Sequence, residues 1–225
     1  MFSIQKYYHI YNHANGFENI FNEERNYYFF LEKYQFYISP IADTLAYCLM
    51  PNHFHLLIKI KSEEELRGLW STSQKFADKG SRKTFEKFGV EKGEWNGFEK
   101  FEAEKSITKQ FSKLFSCYTQ SFNKVYNRRG SLFVPNYKRK EITSEDYLKQ
   151  VFIYIHNNPV KHGFVKKPEQ WNFSSYNAYI YDEEQFLKKN LILGYFDSVE
   201  SLKTAHINNL HLPGDIFWKT KNAML

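Results

Sequence analysis

The stretch Tyr47-Cys-Leu-Met-Pro-Asn-His-Phe-His-Leu-Leu-Ile-Lys-Ile60 decides the fold. Apolar residues on either side of Pro51-Asn52 read as two strands joined by a tight turn. In the second strand His53 and His55 are two residues apart. Side chains alternate faces along a strand, so both imidazoles project from one face and Phe54 from the other. Two imidazoles side by side offer two nitrogen ligands to one divalent ion. A histidine in a strand is more often structural, so the metal reading needs a third ligand from elsewhere in the chain.

Outward from this hairpin, Lys6-Tyr-Tyr-His-Ile-Tyr-Asn12 is rich in β-formers and predicts a first strand, ended by Ala14-Asn-Gly16. Asn22 predicts a cap for a helix to about Ser39, because Tyr27, Phe30, Leu31 and Tyr34 recur at helical spacing before Pro40. Strands over Asp43 to Leu49 and His53 to Lys61 follow. Ser62-Glu-Glu-Glu65 opens a second helix. From about Asp78 to Glu104 the chain is charged, with mixed signs, and reads as an inserted excursion. Helical spacing returns at Ile107, Phe111, Leu114, Phe115, Tyr118, Phe122 and Val125. Arg128-Arg-Gly130 breaks it. Ser131 to Lys140 alternates as a strand, and Pro135 places it at a sheet edge. Thr143-Ser-Glu-Asp146 opens a helix to about Asn157, stopped by Pro159 and Gly163. The order is β-α-β-β-α-β-α. The tail from Glu183 reads as two short helical pieces.

A chain of 225 residues is one domain, or one domain with an appendage. Its 42% hydrophobic and 19% aromatic content implies a packed globule. The net charge of +6 favours an anionic partner. The segment Arg128 to Lys140 holds five basic residues and no acidic one, with Phe133 and Tyr137 between them. Cations for phosphates and rings for bases suit a nucleic acid. Cys48 and Cys117 make no CxxC pair or disulfide framework, which fits a reducing cytoplasm. The N-terminus lacks the pattern of a signal peptide, and no window approaches a membrane span.

A helical wheel over the helix opened by Thr143 puts Leu148, Phe152 and Ile155 on the core face. Tyr147, Val151, Tyr154 and Asn158 form an adjacent stripe at spacings of four, three and four. An amide oxygen at Asn158 is an acceptable hard ligand for Mg2+ or Mn2+, and the Tyr154 hydroxyl lies one turn away. Tyr118, also on a long helix, is a rival nucleophile, but its neighbours are at core spacing and position 122 is Phe.

Leu49-Met-Pro-Asn-His-Phe-His-Leu-Leu-Ile together with Tyr154-Ile-His-Asn-Asn-Pro-Val-Lys-His-Gly163 resembles the single-tyrosine HUH transposases, in particular their REP-associated tyrosine transposase branch. Arg129-Gly-Ser-Leu-Phe133 and Trp171-Asn-Phe-Ser-Ser-Tyr176 add to the resemblance, which covers roughly Tyr7 to Tyr179. It implies an α+β fold: a ferredoxin-like (RRM-like) α/β sandwich with an antiparallel β-sheet, a helical insertion and a C-terminal helical tail. Residues 1–181 would be the catalytic domain and 182–225 an extension. His53, His55 and Asn158 would hold Mg2+ or Mn2+, and Tyr154 would be the nucleophile that cleaves and rejoins single-stranded DNA near a hairpin through a 5′-phosphotyrosyl intermediate. Arg128, Arg129, Lys138, Arg139, Lys140 and Lys161 would contact the DNA, with Phe133, Tyr137 or Trp171 stacking on bases. Relatives occur as monomers and as homodimers, and a nucleoid-associated cytoplasmic protein is expected. The chain departs from the family in the loop after the first strand, where Asn12-His-Ala-Asn15 stands in place of the Arg often found there. An inactive hairpin-binding protein built on the same sheet is the alternative. A zinc hydrolase would want a further ligand close to the His pair, where Leu56-Leu-Ile-Lys-Ile60 supplies none.

Overall fold

The computed structural model describes residues 2–67, 100–182 and 186–209. Strands β1 (Tyr7–His13), β2 (Ala42–Met50), β3 (His53–Ile60) and β4 (Lys138–Ile142) form one sheet in the order β2-β3-β1-β4. Every neighbouring pair is antiparallel. Helix α1 (Glu24–Ile38) connects β1 to β2, and α2 (Lys100–Val125) precedes β4. With α3 (Glu145–Lys161) the order is the expected β-α-β-β-α-β-α, a ferredoxin-like split βαβ arrangement.

Alternation along β3 sets the layers. Phe54 is fully buried against Phe30 of α1 and Phe115 of α2, at ring separations of 5.4 and 5.6 Å. Both long helices therefore cover that face. His53 and His55 point to the opposite face, which α3 covers over β2 and β3. The outer edge of β2 is also protected. Leu49 N–H donates to Phe173 O, Ser175 N–H to Tyr47 O, and Lys188 N–H to Thr44 O. Among the described residues, α3 is followed by a 3-10 turn (Pro168–Gln170) and three short α-helices, α4 (Tyr176–Ile180), α5 (Asn190–Leu193) and α6 (Val199–Asn208). The last two are the helical pieces expected in the tail, and α6 packs on α3.

The strand ends of β1, β2 and β3 differ from the sequence reading by one residue, and four further boundaries differ for identifiable reasons. The α1 N-cap is Glu23 rather than Asn22, because the Asn26 side chain accepts from the backbone N–H groups of both. The charged excursion was expected to reach Glu104, but α2 has already begun at Lys100; residues 78–99 lie outside the described residues. The last strand covers Lys138–Ile142, not Ser131 to Lys140. Pro135 has no N–H to donate to a ladder and Asn136 takes φ +62°, so the chain reaches the sheet only after Tyr137, apart from one bridge between Ala14 and Phe133. Helix α3 runs through Pro159 to Lys161 rather than stopping near Asn157. Proline removes one hydrogen bond in the last turn, and the complete burial of Asn157, Asn158 and Pro159 holds the backbone helical there.

Among the described residues, no helix is long and apolar enough to cross a membrane.

Candidate nuclease site

The site forms where β3, β1 and the end of α3 meet. Register places Tyr11 opposite His55 and His13 opposite His53, all on the α3 side of the sheet. The His53 and His55 rings lie 5.2 Å apart, and the Tyr154 ring is 5.5 Å from His55. Because α3 stays helical through Pro159, Asn158 sits one turn beyond Tyr154 on the same side. Its Nδ2 donates to Tyr154 O at 2.9 Å, which orients the amide. Its Oδ1 is buried, and the amide interacts with both imidazoles. The four residues that the sequence singles out, His53, His55, Tyr154 and Asn158, are thus brought together.

The electrostatics favour neutral imidazoles. Burial pushes His53 down to about 4, with His162 and His13 adding to the shift and the Asn158 amide opposing it. Burial holds His55 well below the ordinary range, reinforced by His9 and His53. Neutral imidazole is the form that binds a metal. His53 Nδ1–H donates to Asn52 Oδ1 at 2.8 Å, which leaves Nε2 with its lone pair. Among the described residues, no three His, Cys, Asp or Glu side chains converge as a metal site. The donor set on offer is two imidazoles and one amide oxygen, which fits Mg2+ or Mn2+ with open positions. A buried amide oxygen facing two ring nitrogens is an arrangement that a cation satisfies.

Three neighbours were not singled out by the sequence reading. His9 is buried on β1, its Nε2 lying 3.0 Å from His55 Nδ1. His162 caps α3 with its ring 5.0 Å from His53. Tyr11 lies 5.8 Å from His55. For His9 and Tyr11 the signal was available: they share a strand face at a spacing of two, and only the pairing of β1 with β3 shows which face that is.

The rival Tyr118 is packed in the core on the other face of the sheet, where its hydroxyl donates to Ile20 O and burial pushes its pKa up. Phe133 is likewise core, between Phe115, Tyr118 and Phe54, which removes it from the stacking candidates. Tyr137 packs on Phe111 and Phe115, and Trp171 Nε1–H donates to Leu49 O.

The expected DNA contacts divide. Lys138 and Lys140 are exposed on β4 opposite Tyr11 and His9, on the face of the site. Arg139 points to the other face, over the Phe2 ring. Arg128 is held by Glu18 and by the carbonyls of Gly130 and Ser131. Arg129 is exposed. Lys161 Nζ sits 4.8 Å from the Tyr154 ring centroid.

Fold and site together define the class: an antiparallel ferredoxin-like sheet with two imidazoles, an amide oxygen and a phenol gathered under one helix. The chain is similar to one solved structure in particular, that of a REP-associated tyrosine transposase bound to a REP hairpin. The TM-score is 0.47 at 13% identity, over 83% of this chain and 87% of the other. No family model matches the chain. No curated protein matches it.

Proposed function

We propose that the protein is a transposase-like nuclease and strand transferase. It would cleave and rejoin single-stranded DNA beside a hairpin through a 5′-phosphotyrosyl intermediate. The supporting observation is the convergence of His53, His55 and Asn158 Oδ1 beside Tyr154. A pure binding module needs no such set. The resemblance of the two motifs that supply these residues points the same way.

His53, His55 and Asn158 would hold Mg2+ or Mn2+, and the bound ion would polarise the scissile phosphate and offset charge in the transition state. Tyr154 Oη attacks phosphorus in line: the P–Oη bond forms, the P–O3′ bond breaks, and the 3′-oxygen leaves and takes up a proton. The phenol gives up its own proton to solvent. A free tyrosine ionises near pH 10, and Lys161 Nζ lies 4.8 Å from the Tyr154 ring centroid, where it would help to offset the charge of a bound phosphate. Attack by a 3′-OH on the phosphotyrosine reverses the bonds and releases Tyr154, so joining needs no ATP.

The test uses end-labelled single-stranded hairpin oligonucleotides, including those from the flanks of the protein's own gene, with Mn2+ or Mg2+. After denaturation, label that migrates with the protein, requires the ion and disappears in Tyr154→Phe is the expected result. Hairpin binding without an adduct would overturn the catalytic reading in favour of a binding protein. An adduct that persists in Tyr154→Phe would move the nucleophile elsewhere.

A further inference from the structure

We propose that His9 is a positioning residue for His55. Its Nε2 accepts the His55 Nδ1–H, fixes the tautomer and ring plane of His55, and so presents His55 Nε2 to a divalent cation. The inference rests on the reading of the site as a divalent-ion centre.

Three observations carry it. The two ring nitrogens are 3.0 Å apart and both rings are buried, so one proton is shared between them and its position sets both tautomers. His9 cannot swing away: it packs against Tyr11 at 4.9 Å, His55 at 5.1 Å and Tyr154 at 6.1 Å. The direction of the bond follows from the other side of His55. If His9 donated, His55 would carry its proton on Nε2, next to the Asn158 amide oxygen, and an N–H there would find a ready acceptor. The ion reading requires the opposite: with His9 as the acceptor, a lone pair on His55 Nε2 and the Asn158 amide, which interacts with both imidazoles, face the same space and can share a cation.

His53 has the same support in a different form, since its Nδ1–H donates to Asn52 Oδ1. Each ligand of the pair is therefore held at Nδ1 by a neighbour, one from the turn and one from the adjacent strand. Such outer partners raise ligand basicity and orient the ring, and their loss typically weakens metal binding about 10–100-fold.

The experiment is calorimetric titration of the DNA-free full-length protein with Mn2+, for wild type, His53→Ala, His9→Phe and His9→Gln. Phenylalanine keeps a ring and removes the acceptor; glutamine keeps an acceptor oxygen. The expected result is about 10–100-fold weaker Mn2+ binding in His9→Phe, substantial recovery in His9→Gln, and unchanged binding of hairpin DNA in the absence of the ion. A long-range 1H–15N spectrum of the ion-free wild type reads the tautomer without any substitution and is expected to place the His55 proton on Nδ1. A proton on Nε2 overturns the proposal, as does Mn2+ affinity indifferent to His9 but dependent on His53. Mn2+ uptake that survives His53→Ala overturns the ion reading itself, and this proposal with it.

Discussion

Asn158 uses the two ends of one amide for different purposes. Its nitrogen ties it to Tyr154 O, and its oxygen is left facing the imidazoles. Asn158→Ala removes the oxygen donor and is expected to weaken Mn2+ binding roughly tenfold or more. Asn158→Asp substitutes a charged hard donor at the same place and is expected to bind Mn2+ at least as tightly as wild type. Calorimetry on the two variants distinguishes a ligand from a helix-stabilising amide, since a structural role predicts loss in both. A second comparison concerns the two helical tyrosines. Tyr118→Phe forfeits the hydrogen bond to Ile20 O at a cost of about 1 kcal/mol, read in thermal or urea unfolding. It leaves the phosphotyrosyl adduct unchanged, because Tyr118 lies across the sheet from the histidines.

At the scale of elements, α3 carries the candidate nucleophile on one side and a buried histidine chain on the other. His206 Nδ1–H donates to Leu202 O at 2.8 Å, so its Nε2 accepts from His156 Nδ1–H at 3.0 Å. His156 Nε2 then accepts from Ser175 Oγ–H at 2.7 Å, and Ser175 Oγ accepts from Tyr47 N–H. The chain runs from α6 through α3 to β2, and it works only with both rings neutral. Burial lowers His206 to about 4 and His156 well below its ordinary value. Unfolded histidines titrate near 6.5. Between those limits the unfolded chain binds protons that the native one refuses, so stability is complete above about pH 6.5 and falls as the pH drops toward 4. Each such histidine contributes a slope of about 1.4 kcal/mol per pH unit. His206→Gln is expected to flatten the slope by one proton in urea unfolding between pH 7 and 4.5, and an unchanged slope would count against the chain. Little of this was legible in the sequence, where the tail held no recognisable chemistry. The partnership of His156 with His206 spans fifty residues and exists only after α6 docks. The hairpin, by contrast, was legible because period two and a Pro-Asn turn are local signals. The end of α3 was misread because Pro159 is a local stop signal that burial overrode, and the start of β4 because alternation continued across a segment where Pro135 and Asn136 forbid pairing.

On the scale of the whole molecule, the sheet sorts the basic residues that the sequence presents as one run. Lys138, Arg139 and Lys140 are adjacent in the chain, but alternation sends the lysines to the side of His55 and Tyr154 and the arginine to the side of α1 and α2. Lys140 Nζ lies 4.9 Å from the Tyr147 ring centroid, about two turns from Tyr154 on the same stripe of α3, so cations and aromatic surface adjoin on the side where a strand would have to lie. Arg128, although first in the basic run, is already neutralised by Glu18. The proposed function therefore makes unequal demands on like charges. Lys138→Glu with Lys140→Glu is expected to weaken hairpin binding and to lower the slope of log affinity against log salt, because each phosphate contact contributes slightly less than one unit to that slope. Arg139→Glu changes net charge by half as much but faces away, and is expected to leave the slope nearly as in wild type. Arg128→Gln, which breaks an internal ion pair, should reduce stability by about 1 kcal/mol or less with little effect on the slope. Titrating labelled hairpin against the variants across a range of salt separates the cases. If Arg139→Glu lowers the slope as much as the lysine pair does, the DNA does not select the His-bearing face, and adducts formed at Tyr154 would require a different path for the strand.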